Sequence, residues 1–147
     1  MPEHVPYMFL FHHLSFLKQK AEEFEKLGKG KSILLQRFRE DAGLNDAQFQ
    51  QLLLVALDCE RRVAEQDKKA MVIINRMKAP YPDGKLPAGE APPPLPPELI
   101  TMQQERDAII LRARDSLRRA LGEQDFVRFN AFVQSHIAPE IKADTPR

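Results

Sequence analysis

Tryptophan is absent from this chain, and cysteine occurs once, at Cys59. A single cysteine closes no internal disulfide, so the fold relies on none, and cysteine usage leaves the redox compartment open. An excess of charge of one sign is also lacking. The 22 basic side chains meet 21 acidic ones, a net charge of +1, so no overall field draws nucleic acid to the chain. The nearest approach to a basic stripe, Arg112, Arg114, Arg118 and Arg119, is interrupted by Asp115 and reads as a solvated helix face. Long apolar runs are missing too. The stretch from Val5 to Leu17 is short and carries His12 and His13, so no membrane insertion is expected.

Recognisable catalytic motifs are equally scarce. The chain has no nucleophile elbow, zinc-protease helix or dinucleotide fingerprint. Gly28-Lys29-Gly30-Lys31-Ser32 ends like half of a phosphate loop, but the first glycine of that motif and a preceding strand are absent. Cys59 stands between Asp58 and Glu60, whose charges raise a thiol's pKa and argue against a nucleophile. No cofactor is implied, and the chain reads as non-enzymatic. A small enzyme built on a bundle is the last alternative, since no residue set names a reaction.

What is present is helical periodicity. Phe49, Leu52, Ala56, Cys59, Val63, Gln66, Ala70, Ile73 and Met77 recur at three- and four-residue steps, with Gln66 the polar exception. That spacing lines one face of a long helix. Neither glycine nor proline occurs between Asn45 and Lys78. Asn45 with Gln48 has the form of a capping box, and Leu44 with Phe49 that of a hydrophobic staple. The helix expected over about 46–78 is about 48 Å long at 1.5 Å per residue.

The flanking segments complete a single all-α domain over 1–147, a bundle of about five helices. A first helix starts after Pro6, with Tyr7, Leu10, Leu14, Leu17, Ala21, Phe24 and Leu27 on its apolar side, and ends at Gly28 and Gly30. A second runs from an N-cap at Ser32 to Ala42, burying Ile33, Leu34, Leu35 and Phe38. Residues 79–97 hold eight of the chain's 12 prolines and form an extended connection. At about 3.1 Å per residue it reaches on the order of 50–60 Å. It can therefore run the length of the long helix or loop out locally, and an antiparallel hairpin is favoured because such neighbours are commoner in bundles. A second long helix follows, Pro97 to Leu121, with Arg106 on its apolar stripe, either snorkelling outward or paired with an acid. The last helix runs from Glu123 to about His136 and is closed by Pro139, with a frayed tail from Lys142. Surface ion pairs are expected between Asp58 and Arg61 or Arg62, Glu65 and Lys68 or Lys69, and Asp115 and Arg118 or Arg119.

Two groups of residues are candidates for function. Tyr7, Met8, Phe9, Phe11 and Phe16 supply more apolar surface than one narrow seam needs, so part of this patch is expected to meet a protein partner or a second copy in a homodimer. Burial against the other helices is its competing reading. Met8, His12, His13 and His136 are the candidate metal or small-ligand set. Met8 lies four residues before His12, a spacing that allows a soft contact to copper. The adjacent His12 and His13 point about 100° apart and do not readily chelate one ion. His136, near a helix C-terminus, suits the dipole as well as a ligand role.

Leu44, Asn45 and Gln48, with Asn in place of Thr, resemble the Leu-Thr-x-x-Gln signature of the Spy and CpxP family of small periplasmic helical proteins. A looser copy follows at Leu121-Gly122-Glu123-Gln124-Asp125-Phe126, with Gly122 where Thr would stand and Gln124 displaced by one. The resemblance implies an extracytoplasmic protein that shields unfolded clients or senses envelope stress through an apolar surface, often as a dimer. The first residues, Met-Pro-Glu-His-Val-Pro, lack the basic start and cleavage site of a signal peptide. The expected location is therefore periplasmic or secreted if a signal peptide has been removed, and otherwise cytoplasmic.

Overall fold

The computed structural model of the chain describes residues 1–30 and 33–144. Among the described residues there is no strand. Helix α1 spans His4–Lys26, α2 Ile33–Ala42, α3 Asp46–Lys78 and α4 Pro97–Leu121. The last rod is broken into α5, Glu123–Phe132, a π turn, Val133–Ile137, and α6, Ala138–Asp144. The architecture is thus the all-α bundle that the periodicity predicts.

Local chemistry sets the helix ends. At the start of α3 both halves of the capping box are made: Gln48 N donates to Asn45 Oδ1 at 2.8 Å, and Asn45 N donates to Gln48 Oε1 at 3.1 Å. Gly43, at φ 70°, ends α2 with a Schellman pair, its N–H donating to Glu40 O while Leu44 N donates to Arg39 O. Helix α1 starts earlier than expected, at His4, with Pro6 inside its first turn, where a missing N–H leaves no bond unmade. The expected N-cap Ser32 lies outside the described residues.

The C-terminal end differs most. Pro139 does not close the last helix. The chain passes through the π turn, where Ala138 N donates five residues back to Val133 O, and then resumes as α6. The wider turn lets Pro139 fall into the first turn of a new helix, where it costs no hydrogen bond. Lys142 to Asp144 belong to α6 and not to a frayed tail; Thr145 to Arg147 lie outside the described residues.

Helices α3 and α4 form an antiparallel hairpin. Gln66 Nε2 donates to Glu105 Oε2 at 2.8 Å, Arg106 Nε donates to Asp67 at 3.0 Å, and at the far end Gln48 Nε2 donates to Asp125 just beyond α4 at 2.7 Å. The proline-rich segment loops out at the hairpin's tip, with a short 3₁₀ turn at Pro82–Gly84 and exposed residues from 85 to 95. The seam of α3 is buried at Phe49, Leu52, Ala56, Cys59, Val63, Gln66 and Ile73, and half-buried at Ala70 and Met77. Helix α1 packs on this hairpin through Tyr7, Leu10, Phe11 and Leu14, joined by Phe126, Phe129 and Val133. Each large apolar side chain so enclosed contributes roughly 1.5–3 kcal/mol relative to exposure.

Three expectations about packing are corrected. Phe24 and Leu27 do not extend the buried side of α1, whose last buried residue is Ala21. Ile33 and Leu34 of α2 are exposed, and Leu35 and Phe38 are only half-buried. The ion pairs also choose other partners. Asp58 pairs with Arg61 and Arg62 as expected, but Glu65 pairs with Arg61, Asp115 with Arg114, and Arg118 with Glu123.

Candidate functional site

Helix α1 has more apolar side chains than its buried stripe can hold. Tyr7 and Phe11 face inward and are enclosed; the Tyr7 hydroxyl donates to Asn130 Oδ1 at 2.8 Å, and burial holds its pKa well above the ordinary phenol value. Phe9 and Phe16 face outward, 45% and 49% exposed, and Met8 is half-buried between them and the core. The five residues of the expected partner patch therefore divide into two core aromatics and a surface pair with Met8 at its edge. At 100° per residue, Phe9, Phe16 and Leu27 fall within about 20° of one line, with Phe24 about 60° to its side. This outer stripe reaches along almost the whole helix. Lys20 lies over the Phe16 ring at 5.6 Å and Lys29 over Phe24 at 5.9 Å, so basic stems cover part of the aromatic surface.

At the inner end of the stripe, α1, α3 and Arg106 of α4 enclose a cleft of about 370 Å³. Met8, Phe9 and His12 form one wall, and Glu60, Val63, Ala64, Asp67 and Arg106 the other. His12 Nδ1 lies 3.1 Å from Glu60 Oε2, and the Arg106 guanidinium lies 3.1 Å from the Met8 sulfur while holding Asp67. The candidate metal set is divided between two places. Met8 and His12 share this cleft. His13 packs beside Phe38, and His136 stacks on Phe132 at 4.5 Å, with Phe38 and Phe132 in edge contact between them. No group of three or more His, Cys, Asp or Glu side chains able to hold a metal occurs among the described residues.

Arg106 drew notice in the sequence as a charge on an apolar stripe, and its pairing with Asp67 matches one of the two expectations for it. Glu60 and Asp67 carried no such signal: they are two acids among many on α3, and only the arrival of α1 and α4 gives them partners. Cys59 is enclosed, with its thiol pushed up to about 12, chiefly by burial and further by Glu60 and Asp58. The acids act in the expected direction, but desolvation outweighs them.

The two copies of the repeated motif meet in space. Gln48 of the first copy bonds Asp125 of the second, Leu44 is buried beside them, and Arg39 holds the Leu44 carbonyl at 3.2 Å. In this fold the motif residues cap α3 and clamp its start to α5. Among the described residues, no helix is long and apolar enough to cross a membrane. No family model, curated protein or solved structure matches the chain.

Proposed function

We propose that this chain is a non-enzymatic interaction protein that shields apolar stretches of other polypeptides in a chaperone-like role outside the cytoplasm. The observation that carries the reading is the outer side of α1, where Phe9, Phe16 and Phe24 stay 39% to 49% exposed on a helix whose opposite face is packed as far as Ala21. Exposed aromatics in a row offer contact area to apolar segments at little cost in rotamer freedom. Lys20 and Lys29 beside them favour segments that also carry acids.

An aggregation assay with a chemically denatured client tests this directly. Equimolar protein is expected to suppress light scattering, and the triple variant Phe9→Ser, Phe16→Ser, Phe24→Ser to lose that effect while keeping its helical circular dichroism. No suppression by the unaltered chain at equimolar concentration would remove the client-binding role. Fractionation of the native host tests the extracytoplasmic setting separately.

A further inference from the structure

The packed body of the molecule stops before the α3–α4 hairpin does. Core residues of α3 run from Phe49 to Val63 and those of α4 from Ile110 to Leu121. Beyond them, residues 64–78 and 97–109 continue as a two-helix arm, about 22 Å long at 1.5 Å per residue. Helix α1 covers one face of the hairpin only up to the arm's base, where Met8 and Phe9 meet Val63, Ala64 and Asp67. On the same face, which Asp67 and Arg106 share with that cleft, the arm carries an open groove of about 380 Å³. Ala70, Ile74, Leu95, Leu99, Ile100 and Met102 give it an apolar lining.

We propose that the arm of a second copy of this chain lies in the groove, pointing the opposite way, in a two-fold symmetric homodimer. Sterics set the direction. A partner arm running the same way would bring its own body onto α1 at the arm's base, whereas a reversed arm carries its body out past the tip. The two-fold axis then stands perpendicular to the arm and lays α3 against α3.

The sequence of α3 suits that arrangement. Asp67 and Ile74 line the groove, and at 100° per residue Met71 and Lys78 fall within about 60° of them on the same helix. An antiparallel pairing centred between Val72 and Ile73 places Asp67 against Lys78 of the second copy and Met71 against its Ile74. Both contacts occur twice, once on each side of the axis. The other charges of the arm on α3, Glu65, Lys68, Lys69 and Arg76, lie about 100° or more from Asp67 and stay in water. Asp67 is half-exposed although Arg106 holds it, and Lys78 makes no ion pair among the described residues, so each has capacity for a neighbour.

The exposed apolar side chains fall in the same zone. Gln66 lies level with Glu105, which puts Met71 level with Ile100, and these are 45% and 49% exposed. Leu95, 65% exposed at the tip, comes toward Met102 of the other copy, and each tip reaches the partner's Phe9 at the base. Two helices about 10 Å wide and 22 Å long present a face on the order of 400–500 Å². That is below the roughly 800 Å² per partner of a standard interface, so the dimer dissociates on dilution. Apart from Phe9 the surface is distinct from the outer stripe of α1, so dimerisation and client binding stand or fall separately.

Light scattering and sedimentation of the full chain from about 1 to 300 µM read the association. The expected mass rises from 16.9 kDa toward twice that value. Asp67→Lys and Lys78→Asp are each expected to stay monomeric alone, because each sets like charges together at both contacts. Mixed one to one they are expected to form a heterodimer, in which an acid faces a base at both contacts again. Ile100→Lys, at a position exposed in the monomer, is expected to fold normally and weaken association about tenfold or more. Spin labels on Val72→Cys, at mid-arm, are expected to lie about two helix diameters apart, roughly 20 Å. A monomer throughout the concentration range overturns the proposal. So does a dimer indifferent to Lys78→Asp or Ile100→Lys, folded single-charge variants that do not pair on mixing, or mid-arm labels lying far apart.

Discussion

Replacing Asn45 by Ala removes the side-chain acceptor that satisfies Gln48 N at 2.8 Å and leaves the rest of the capping box in place, because the backbone N–H of residue 45 still reaches Gln48 Oε1. Loss of an N-cap of this kind costs about 1 kcal/mol, within a range of roughly 0.5–2. For a chain of this length that corresponds to a fall of about 2–4 °C in Tm. Asn45→Thr keeps an acceptor and is expected to stay within about 0.5 kcal/mol of the unaltered chain. Gln48→Ala is expected to cost more than Asn45→Ala, since Gln48 serves the box and also donates to Asp125 at 2.7 Å. Asn45 and Gln48 share one network, so the double variant is expected to lose less than the two single losses combined. The Asp125 contact also has a pH signature. Arg128 first and Gln48 second hold its carboxyl below the usual range. Its contribution is therefore present above the unfolded-chain value near 3.8 and fades as pH falls below it. The extra cost of Gln48→Ala should shrink over the same window. Urea titrations followed by circular dichroism at neutral and acid pH measure all of this. A loss under about 0.3 kcal/mol for Asn45→Ala, or full additivity with Gln48→Ala, would refute the capping argument.

Further outcomes follow from burial. Leu52→Ala, at a position with no exposure, is expected to lose roughly 2–5 kcal/mol, and Leu54→Ala, at 63% exposure, less than about 0.5; similar losses at both sites would contradict the packing. The Cys59 thiol, raised to about 12 by burial, is expected to resist alkylation at pH 8 until the chain is unfolded with urea; fast labelling of the native protein would show it is not enclosed. Because its pKa is raised in the fold, its stabilising contribution is complete below the unfolded value near 9 and is lost as pH rises toward 12, so stability should fall over that window and fall less in Cys59→Ala. Calorimetric titration with copper is expected to give no saturating heat, since the Arg106 cation abuts the Met8 sulfur and Glu60 already engages His12; saturable binding would instead support the metal reading of that cleft.

Much of the fold is legible in the chain because a long helix writes its own period. The seam from Phe49 to Met77 and the Asn45–Gln48 box are local features, and no tertiary event was needed to read them. What could not be read locally depends on which element arrives next. Phe24, Ile33 and Leu34 have the spacing of buried residues, yet they stay 39% to 60% exposed, because the spacing alone does not say how far the neighbouring helices extend. Pro139 obeys the rule against proline inside a helix only because a π turn before it starts a new one. The candidate site shows the same division. The surplus of apolar residues on α1 was visible, but not that Tyr7 and Phe11 face the core while Phe9 and Phe16 face solvent.

The polar misfits on the apolar stripes turn out to be the most informative positions. A seam of aliphatic side chains alone leaves the relative height of two antiparallel helices weakly determined, since a slide of one turn exchanges one apolar contact for another. Gln66 and Arg106 remove that freedom. Gln66 is 7% exposed, so leaving its amide unbonded would cost more than the bond itself yields, and its Nε2 reaches Glu105 at one register of the hairpin. Arg106, bonded to Asp67 one residue further along each helix, selects the same register. These two contacts lie where the body ends and the arm begins. They therefore also set Met71 level with Ile100 and hold the Asp67 carboxylate at the groove, the conditions on which docking of a second copy rests. Two residues that look like defects in a hydrophobic pattern thus align the helices within one chain and present the acid that Lys78 of a second chain can meet.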